Sequence, residues 1–406
     1  MRPTIRKATQ EQTRVHNSRL VLRVIYERQE ISRADIARQT GLTRTTVSDV
    51  VAELMEQGMV EEVGYGPSAG GKPPILISVI PDSRHLVGLD LASDEFCGAV
   101  VNLRGQVRHE IVVPLHDRDG EAALALVYDM VEGLIAATDS PLLGIGIGSP
   151  GLMDASNGIV RRSVNLDWHD LPLRELLEAR FDLPVYVAND SQVAALGEYT
   201  FGNGAGVENL VVIKVGHGIG AGIVLNGRLF HGETFGAGEI GHVAVVEEGE
   251  RCRCGNRGCL ETVASARALI QQAQALAAGD PGSALHRYAA TPGEIGIETI
   301  CRALEAGDEE VGRLVRRAGR YLGIAAANIV GLLSARRIVI SGSVACLGEA
   351  LLEVVREEMA RRSLAILADE VEIVVSGAGA DIVILGASAL VLNRELGLFA
   401  WPEAAA

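Results

Sequence analysis

Aromatic residues make up only 4% of this 406-residue chain, and long apolar runs are missing from it. Platforms that stack the bases of single-stranded nucleic acid need several exposed rings, so we do not expect this class of binder. No apolar stretch reaches the roughly 18 residues that a membrane span requires. The first residues also lack the apolar segment of a secretory signal. We therefore expect no membrane partner and a cytoplasmic location.

Cysteine is scarce as well, with six residues in the whole chain. Three of them fall between positions 252 and 259, whereas Cys97, Cys301 and Cys346 are scattered. Isolated cysteines are typical of buried thiols in a reducing compartment. We expect these three residues to be such thiols.

Charge is distributed unevenly along the chain, whose net charge is -15. Residues 1–80 carry 11 Lys and Arg against 9 Asp and Glu, whereas residues 81–406 carry 26 against 43. A basic head on an acidic body indicates that only the head contacts a polyanion. The length itself favours two or three domains.

The basic head has the pattern of a helix-turn-helix. Helical spacing of apolar residues predicts a first helix over residues 17–29 and a second over 33–39. Gly41 then makes a tight turn, and Thr43 caps a third helix that runs to about Gln57. Two short helices, a glycine turn and a third helix are the elements of this motif.

The start of the third helix carries small hydroxyl donors and one guanidinium where base edges would lie. Two strands follow at about 59–63 and 75–79, joined by a Gly/Ser/Pro loop, and predict a wing. The predicted DNA contacts are Arg33, Thr43, Arg44, Thr45, Thr46, Ser48 and, near the tip of the wing, Lys72. The alternative is a trihelical protein-interaction module without DNA contact.

From Leu86 onward, apolar strands alternate with amphipathic helices, which predicts α/β layers. Polar residues follow two of these strands, at the carboxyl ends where open α/β sheets bind ligands. They are Ser149-Pro150-Gly151 and Asn189-Asp190. Taken alone, Asn189-Asp190 also fits an ordinary helix cap. The glycine loop at 216–222 joins two strands, which excludes a dinucleotide fingerprint because that motif leads into a helix.

Metal-binding residue types cluster between Glu239 and Glu261. The chain reads Glu239-Ile-Gly-His242 and then Cys252-Arg-Cys254-Gly-Asn-Arg-Gly-Cys259-Leu-Glu261. One imidazole and three thiolates suit tetrahedral Zn²⁺ and leave no open position, so we expect a structural zinc ion. The two bracketing glutamates would then be held rigidly, as suits a sugar hydroxyl. The alternatives are reduced surface thiols, or a disulfide with one spare cysteine.

These motifs resemble those of the ROK family, which unites repressors, open reading frames and sugar kinases, from about residue 14 to 395. The resemblance rests on Ser149-Pro150-Gly151, Asn165-Leu166, Asn189-Asp190 with Gly197-Glu198, the 216–222 loop, Glu239 to His242, the cysteine cluster through Glu261, and Ser341-Gly342-Ser343. It implies an α/β body of two actin-like, hexokinase-like (ribonuclease H-like) lobes around a sugar cleft, preceded by a winged helix-turn-helix as in the repressors.

The resemblance also implies domain limits and residue roles. The winged helix would occupy 1–80, the first lobe 81–188 completed by a C-terminal helix at 386–400, and the second lobe with its zinc loop 189–385. The implied zinc ligands are His242, Cys252, Cys254 and Cys259. The implied sugar contacts are Gly151, Asn165, Asn189, Asp190, Glu239, His242 and Glu261. His242 would place one ring nitrogen on zinc and the other toward a hydroxyl, and Asp190 corresponds to the general base of the kinases.

Three departures from the kinases of the family fall on the ATP side of the cleft. Their Asp-x-Gly-Gly-Thr-Lys turn is replaced by Asp90-Leu-Ala92-Ser93-Asp94-Glu95, whose carboxylates repel a nucleotide. His217 stands where the kinases usually have threonine, and Ser341-Gly342-Ser343 replaces a run of glycines. We therefore expect no kinase activity; the alternative is an ATP-dependent sugar kinase, alone or alongside a regulatory function.

The resulting prediction is a sugar-responsive transcriptional regulator. Its expected partners are operator DNA, a monosaccharide effector and further copies of the chain, because helix-turn-helix proteins bind palindromic half-sites as dimers. We expect a homodimer or homotetramer. Family repressors are released by sugar, so repression relieved by a monosaccharide inducer is the expected sign, with activation as the alternative. The sequence does not identify the sugar or the operator.

Overall fold

The computed structural model describes residues 9–67, 73–92, 94–116, 118–204 and 207–399. The predicted DNA contact Lys72, residue Ser93 of the turn after the first strand, and position 400 at the predicted end of the C-terminal helix lie outside these ranges. Within them, no helix combines the length and apolar character needed to cross a membrane.

The amino-terminal unit is a winged helix-turn-helix, as the sequence predicts. Its elements are α1 (Gln10–Arg28), β1 (Ile31–Ser32), α2 (Arg33–Thr40), α3 (Arg44–Glu56), β2 (Val60–Tyr65) and β3 (Ile75–Val79). The hydroxyl of Ser32 caps α2 by accepting a hydrogen bond from the Asp35 amide. The hydroxyl of Thr43 caps α3 in the same way, from the Thr46 amide. These caps satisfy amides that have no partner within a helix.

Two features of this unit differ from the prediction. Helix α1 begins at Gln10, well before residue 17, because Thr9 and Gln12 form a reciprocal capping box there. The wing also has a third strand, since β1 pairs antiparallel with β3. A two-residue strand carries too little periodicity to be detected from the sequence.

The first half of the body is built on a five-stranded sheet in the order β11-β7-β4-β5-β6. Its elements are β4 (His85–Leu91), β5 (Glu95–Asn102), β6 (Val107–Pro114), α4 (Gly120–Ala136), β7 (Leu142–Ser149), β8 (Leu152–Asp154), β9 (Ile159–Ser163), β10 (Trp168–Leu171), α5 (Leu173–Phe181) and β11 (Val185–Asn189). Strands β4, β7 and β11 run parallel. Every residue of β4 is buried, as expected of a strand covered on both faces.

The second half repeats this topology with the order β14-β13-β12-β15-β16. Its elements are α6 (Asp190–Phe201), β12 (Leu210–Val215), β13 (Ile219–Leu225), β14 (Arg228–Leu229), α7 (Leu260–Ala264), α8 (Ala266–Gly279), α9 (Ile297–Glu305), α10 (Glu309–Leu333), β15 (Arg337–Ser341), α11 (Gly348–Arg362), α12 (Ala365–Ala368), β16 (Glu372–Val375) and α13 (Ile382–Leu396). In each sheet an antiparallel meander is extended by two parallel strands. This repetition confirms the predicted two-lobed fold, while the domain limits stay a prediction.

Helix α13 packs between the first sheet and α6 in direct backbone contact. A Cβ atom at Gly146 on β7 would clash with the carbonyl oxygen of Ala387, and one at Gly386 would clash with that of Val193 on α6. Glycine is therefore required at both positions for this close packing. The contact fixes α6, whose first residue is Asp190, against the first sheet.

The head shares a hydrophobic cluster with the body. Helix α1 packs there with Val391 and Leu392 of α13 and with Leu103. The Arg23 guanidinium donates to the Gly397 carbonyl oxygen at 2.8 Å, and the Tyr26 hydroxyl donates to that of Leu103 at 2.9 Å. The helix that packs on the first sheet thus also supports the first helix of the head.

The prediction for the scattered cysteines is wrong for two of them. Cys301 on α9 and Cys346, which follows β15, form a disulfide, and Cys346 is exposed. Only Cys97 of the three is a free thiol. The two bonded residues are 45 positions apart, so no local pattern indicates that the fold brings them together.

Candidate functional site

The carboxyl ends of the parallel strands of both sheets converge on one cleft. In the first sheet Asp90 lies beside Gly148, and Asn189 lies beside Ser149. In the second sheet Lys214 lies beside Ser341. Because parallel strands end at a common edge, these registers bring the polar residues that follow each strand together.

Asn189 and Gly151 are joined directly. The Asn189 Nδ2 donates to the Gly151 carbonyl oxygen at 3.0 Å, while its Oδ1 accepts from the amides of Ser191 and Gln192. Asn189 is thus the N-cap of α6, the role that the pair also allowed on sequence grounds. A side chain at Gly151, whose φ is +100°, would collide with the Arg162 carbonyl oxygen. The close approach of the two loops therefore depends on this glycine.

Asp190 pairs with a lysine from the opposite sheet. The Lys214 Nζ lies 2.7 Å from Asp190 Oδ2 and 4.0 Å from Asp90 Oδ1. Burial raises the pKa of Asp90 to about 6, with Lys214 opposing the shift and Asp190, Asp94 and Glu95 adding to it. Burial alone would lower the pKa of Lys214, but the charges of Asp190 and Asp90 outweigh it and raise that pKa.

Glu239 and Glu261 lie on the second-sheet side of the cleft. The Glu261 Oε2 accepts from the Ile219 amide at 3.1 Å, which ties it to the glycine loop before β13. Burial raises the pKa of Glu239, with His242 opposing and the charges of Asp190 and Glu261 adding to the shift. Glu239, Glu261 and Asp190 thus lie close enough to influence one another, and three carboxylates offer acceptors for several hydroxyl groups.

His242, Cys252, Cys254 and Cys259 form a cluster that could hold a metal ion. One ligand atom from each lies within 4.8 Å of all the others. The His242 Nδ1 lies 3.6 Å from Cys252 Sγ, and the sulfur atoms of Cys254 and Cys259 are 3.7 Å apart. The other ring nitrogen of His242 lies 3.9 Å from Glu239 Oε2. The imidazole thus faces the thiols on one side and Glu239, a predicted sugar contact, on the other.

Asn165, in the first half of the body, is contacted by the cysteine-bearing loop of the second half. It lies between β9 and β10, and its Oδ1 accepts from the Arg253 guanidinium at 3.1 Å. Arg253 stands between Cys252 and Cys254, so the loop that carries the thiols also contacts the first half of the body. The sequence analysis did not single out Arg253.

The part of the cleft that the resemblance to the kinases assigns to ATP carries two further carboxylates. Asp94 precedes β5 and Glu95 begins it, and both influence Asp90 by their charge. His217 lies in the turn between β12 and β13, where burial lowers its pKa, together with the charges of Arg267 and Arg253. Gly342 follows β15 with a φ of +86° and precedes a short helical turn at Ser343–Leu347.

Some of the predicted DNA contacts are exposed, and the others are engaged within the head. Arg44, Thr45 and Ser48 are exposed at the start of α3. Thr43 and Thr46 bond to each other and serve the cap of α3. The Arg33 guanidinium lies 3.0 Å from a Glu62 carboxylate oxygen on the wing, so it is engaged within the head. A contact with DNA by Arg33 would require it to leave that partner.

Comparison with known proteins places this site in a family. The model of the ROK family matches residues 86–394, and that of the MarR family matches residues 17–65. The chain belongs to the ROK family. Its body is thus a ROK body, preceded by a MarR-type winged helix.

Three relatives illustrate the range of this likeness. A xylose repressor of Caldicellulosiruptor bescii is 34% identical over 386 residues, which cover 94% of this chain and 96% of that protein. The crystal structure of a ROK family transcriptional regulator, a homologue of the Escherichia coli MLC protein, has a TM-score of 0.81 at 29% identity and covers 95% of this chain and 98% of its own. A ROK family glucokinase from Streptomyces griseus, in complex with glucose and AMPPNP, has a TM-score of 0.71 at 29% identity and covers 75% and 98%.

Lys214, which contacts both Asp90 and Asp190, was not among the residues predicted from the sequence. Lys214 is the only charged residue of β12, whose other members are apolar. A single cation in an apolar strand is a signal of a buried ion pair, because an unpaired charge there is costly. Its partners could not be named without the relative placement of the two sheets.

Proposed function

We propose that this chain is a sugar-responsive DNA-binding transcriptional repressor that a monosaccharide releases from its operator. The observation that carries this proposal is the union, in one chain, of a winged helix-turn-helix with a ROK body that retains the sugar-side residues. The xylose repressor supports it, since it matches this combination over nearly its whole length. Arg44, Thr45 and Ser48 would contact bases, and Lys72 the backbone.

The sugar site would use the carboxylates and amides of the cleft. Asp190, Glu239 and Glu261 supply acceptors, and Asn189 has a second Nδ2 hydrogen beyond the one donated to Gly151. A neutral sugar offers hydroxyl groups only, which such fixed acceptors and donors recognise. Asn165, His242 and Gly151 complete the proposed contacts.

The metal would be a structural Zn²⁺ bound by His242 and the three clustered cysteines. Three thiolates and one imidazole satisfy tetrahedral coordination and leave no position for a reacting water. The ion would fix the loop between Glu239 and Glu261. The chain's own residues would bind the sugar, and the metal would position them.

The proposed regulator has no kinase activity. Asp94 and Glu95 would lie near the phosphates of a nucleotide bound as in the kinases, where like charges oppose it, and the residues Ala92-Ser93 would offer no bare glycines there. The likeness to a glucokinase is the observation that favours the alternative, an ATP-dependent sugar kinase. An assay of ADP release with D-glucose, D-xylose and N-acetyl-D-glucosamine separates the two, and turnover of a few per second would support the kinase.

Sugar binding would reach the head through helix α13. One end of this helix packs against α6, which begins at Asp190, and the other end supports α1 through Arg23 and the shared cluster. Closure of the lobes about segments near residues 188 and 385 would therefore alter the position of the head. A ligand shifts such an equilibrium only by its differential affinity for the two states. The protein would act in the cytoplasm as a homodimer or homotetramer.

The experiment that tests this function measures operator binding with and without sugar. The operator is selected from a random double-stranded DNA library with the purified protein, and binding is followed by fluorescence anisotropy. D-Xylose, D-glucose and N-acetyl-D-glucosamine are then titrated in at constant ionic strength. Release by one of the sugars is the expected result. An affinity that is indifferent to all of them contradicts the proposed coupling.

A further inference from the structure

Lys214 is a buried cation in an apolar strand. Its side chain is 14% exposed, and those of its partners Asp90 and Asp190 are 12% and 16% exposed. Burial of an ammonium is costly unless opposite charges and hydrogen bonds replace its lost hydration. Both carboxylates supply opposite charge, and Asp190 also accepts a hydrogen bond from the ammonium at 2.7 Å, whereas Asp90 lies 4.0 Å from it. These three residues form the ion bridge.

The bridge connects the two halves of the body. Lys214 comes from β12 of the second sheet, Asp90 lies on β4 of the first, and Asp190 begins α6. The other charged or titratable groups that act on this set or lie beside it in the cleft are Asp94, Glu95, His217 and Glu239. Three of these four groups are carboxylates in addition to Asp90 and Asp190, and Lys214 is the cation that contacts both aspartates of the bridge.

Both oxygen atoms of Asp190 are engaged. The Oδ2 accepts from the Lys214 ammonium at 2.7 Å, and the Oδ1 accepts from the Ser191 amide at 2.8 Å. The Oδ1 also accepts from the Ser191 hydroxyl at 3.3 Å. Each carboxylate oxygen has two lone-pair sites, so the position that remains for a ligand hydroxyl is on Oδ2. The carboxylate is thus held in one orientation by an ammonium, an amide and a hydroxyl that all donate to it.

We propose that Lys214 is a positioning residue of the sugar site, whose ammonium holds the Asp190 carboxylate in one orientation as an acceptor for a sugar hydroxyl and opposes transfer of that hydroxyl's proton to it. This inference rests on the proposed sugar sensing. Lys214 supplies a fixed monovalent cation where two carboxylates would otherwise favour a divalent ion. Sugar binding should accordingly require neither Mg²⁺ nor nucleotide.

A double-mutant cycle measures whether Lys214 acts through Asp190. Calorimetry with D-xylose, D-glucose and N-acetyl-D-glucosamine identifies the sugar that the zinc-loaded wild-type protein binds. The Kd for that sugar is then measured for Lys214→Met, Asp190→Asn, the double variant and Lys214→Arg. We expect Lys214→Met to weaken binding about tenfold, and to change it less than about twofold in the Asp190→Asn background. Lys214→Arg should restore most of the affinity because it keeps the charge.

The pH profile supplies a readout that a merely structural role would not change. Without the ammonium, Asp90 and Asp190 face each other and take up a shared proton more readily, which weakens the acceptor. The Kd of Lys214→Met should therefore rise as the pH falls from 8 to 5.5, whereas that of the wild-type protein should change less than about twofold. Equal pH profiles, or equal losses from Lys214→Met in both backgrounds, would overturn the inference.

Denaturation without sugar keeps the test decisive if Lys214→Met folds poorly. The unpaired carboxylates of that variant bind a proton more tightly when folded, so its stability should be present at low pH and lost as the pH rises. Adding Asp190→Asn should raise its denaturation midpoint at pH 8; a further decrease would contradict the pairing. If the wild-type protein binds none of the sugars, the proposed function fails together with the inference. If it binds one and the cycle is additive, only the inference fails.

Discussion

The two sides of the cleft differ in the hydrogen bonds and charges of their side chains. On the proposed sugar side, Asn189, Asp190 and Glu261 are each held by hydrogen bonds to the surrounding backbone or to Lys214. On the proposed ATP side, Asp94 and Glu95 would bring negative charge to the phosphates of a nucleotide. In the function that we propose, the ROK body therefore keeps a preorganised set of acceptors for a sugar, whereas the surroundings of the phosphoryl donor are unsuitable for a nucleotide.

Removal of a metal ligand should have the largest effect. Cys254→Ser should lower the zinc affinity by at least about 100-fold, because the serine hydroxyl is a poor substitute for a thiolate. Elemental analysis should then find about one zinc per wild-type chain and little in the variant. Sugar response should be lost as well, since Glu239 and Glu261 lose their fixed loop. Cys97→Ser, which changes a free cysteine outside the cluster, is the matched control and should retain the metal.

A matched pair of aspartates tests the comparison itself. Asp190→Ala should weaken sugar binding by at least about tenfold, because a charged hydrogen-bond acceptor is lost. Asp94→Ala, on the ATP side, should leave sugar affinity nearly unchanged. Calorimetric titration of both variants checks this. Equal losses for the two residues would show that the cleft is not divided as described. Operator affinity should be retained in both, since the head is untouched.

Substitution in the head should separate DNA binding from sugar binding. Arg44→Ala should weaken operator binding by roughly 1–3 kcal/mol if its guanidinium contacts a base, and sugar affinity should not change. Arg313→Ala, an exposed arginine of α10 paired with Glu310, serves as the control. Anisotropy measurements at one salt concentration distinguish them. A similar loss from both would point to a general charge effect.

The smallest expected effect concerns the buried Asp90. Its pKa of about 6 exceeds that of an unfolded aspartate, so its protonated form contributes stability below about pH 4 that is lost as the pH rises through about 6. The asparagine of Asp90→Asn cannot ionise, so the variant does not lose this contribution as the pH rises. Its free energy of unfolding relative to that of the wild type should therefore increase by on the order of 1–2 kcal/mol from pH 4 to pH 8. Chemical denaturation at the two pH values measures this. A difference of the opposite sign would mean that Lys214 dominates the titration of Asp90.

Local signals in the sequence predicted local structure well. The caps at Ser32 and Thr43, the strands before Ser149 and Asn189, and the metal cluster all follow from residues close together in the chain. The thiols and the imidazole fall within eighteen positions of one another, from His242 to Cys259, so spacing alone brings them near. The ROK fold was then predicted from the combination of these motifs.

Pairs from distant parts of the chain could not be predicted in the same way. The bridge between Lys214 and Asp90, the bond between Arg253 and Asn165, and the disulfide between Cys301 and Cys346 each join separate elements. Their formation depends on how the elements are placed relative to one another, which no local pattern specifies. Of these residues, only Lys214 has a local signal in the sequence, because it is a single charge within an apolar strand.

The central claim is that the cleft binds a monosaccharide but not ATP. The most direct test is calorimetry on one preparation of zinc-loaded protein, in which the three sugars and ATP with Mg²⁺ are titrated separately. We expect saturable binding of at least one sugar without nucleotide, and no heat of binding from ATP with Mg²⁺. Saturable ATP binding, or the failure of every sugar to bind, would contradict it.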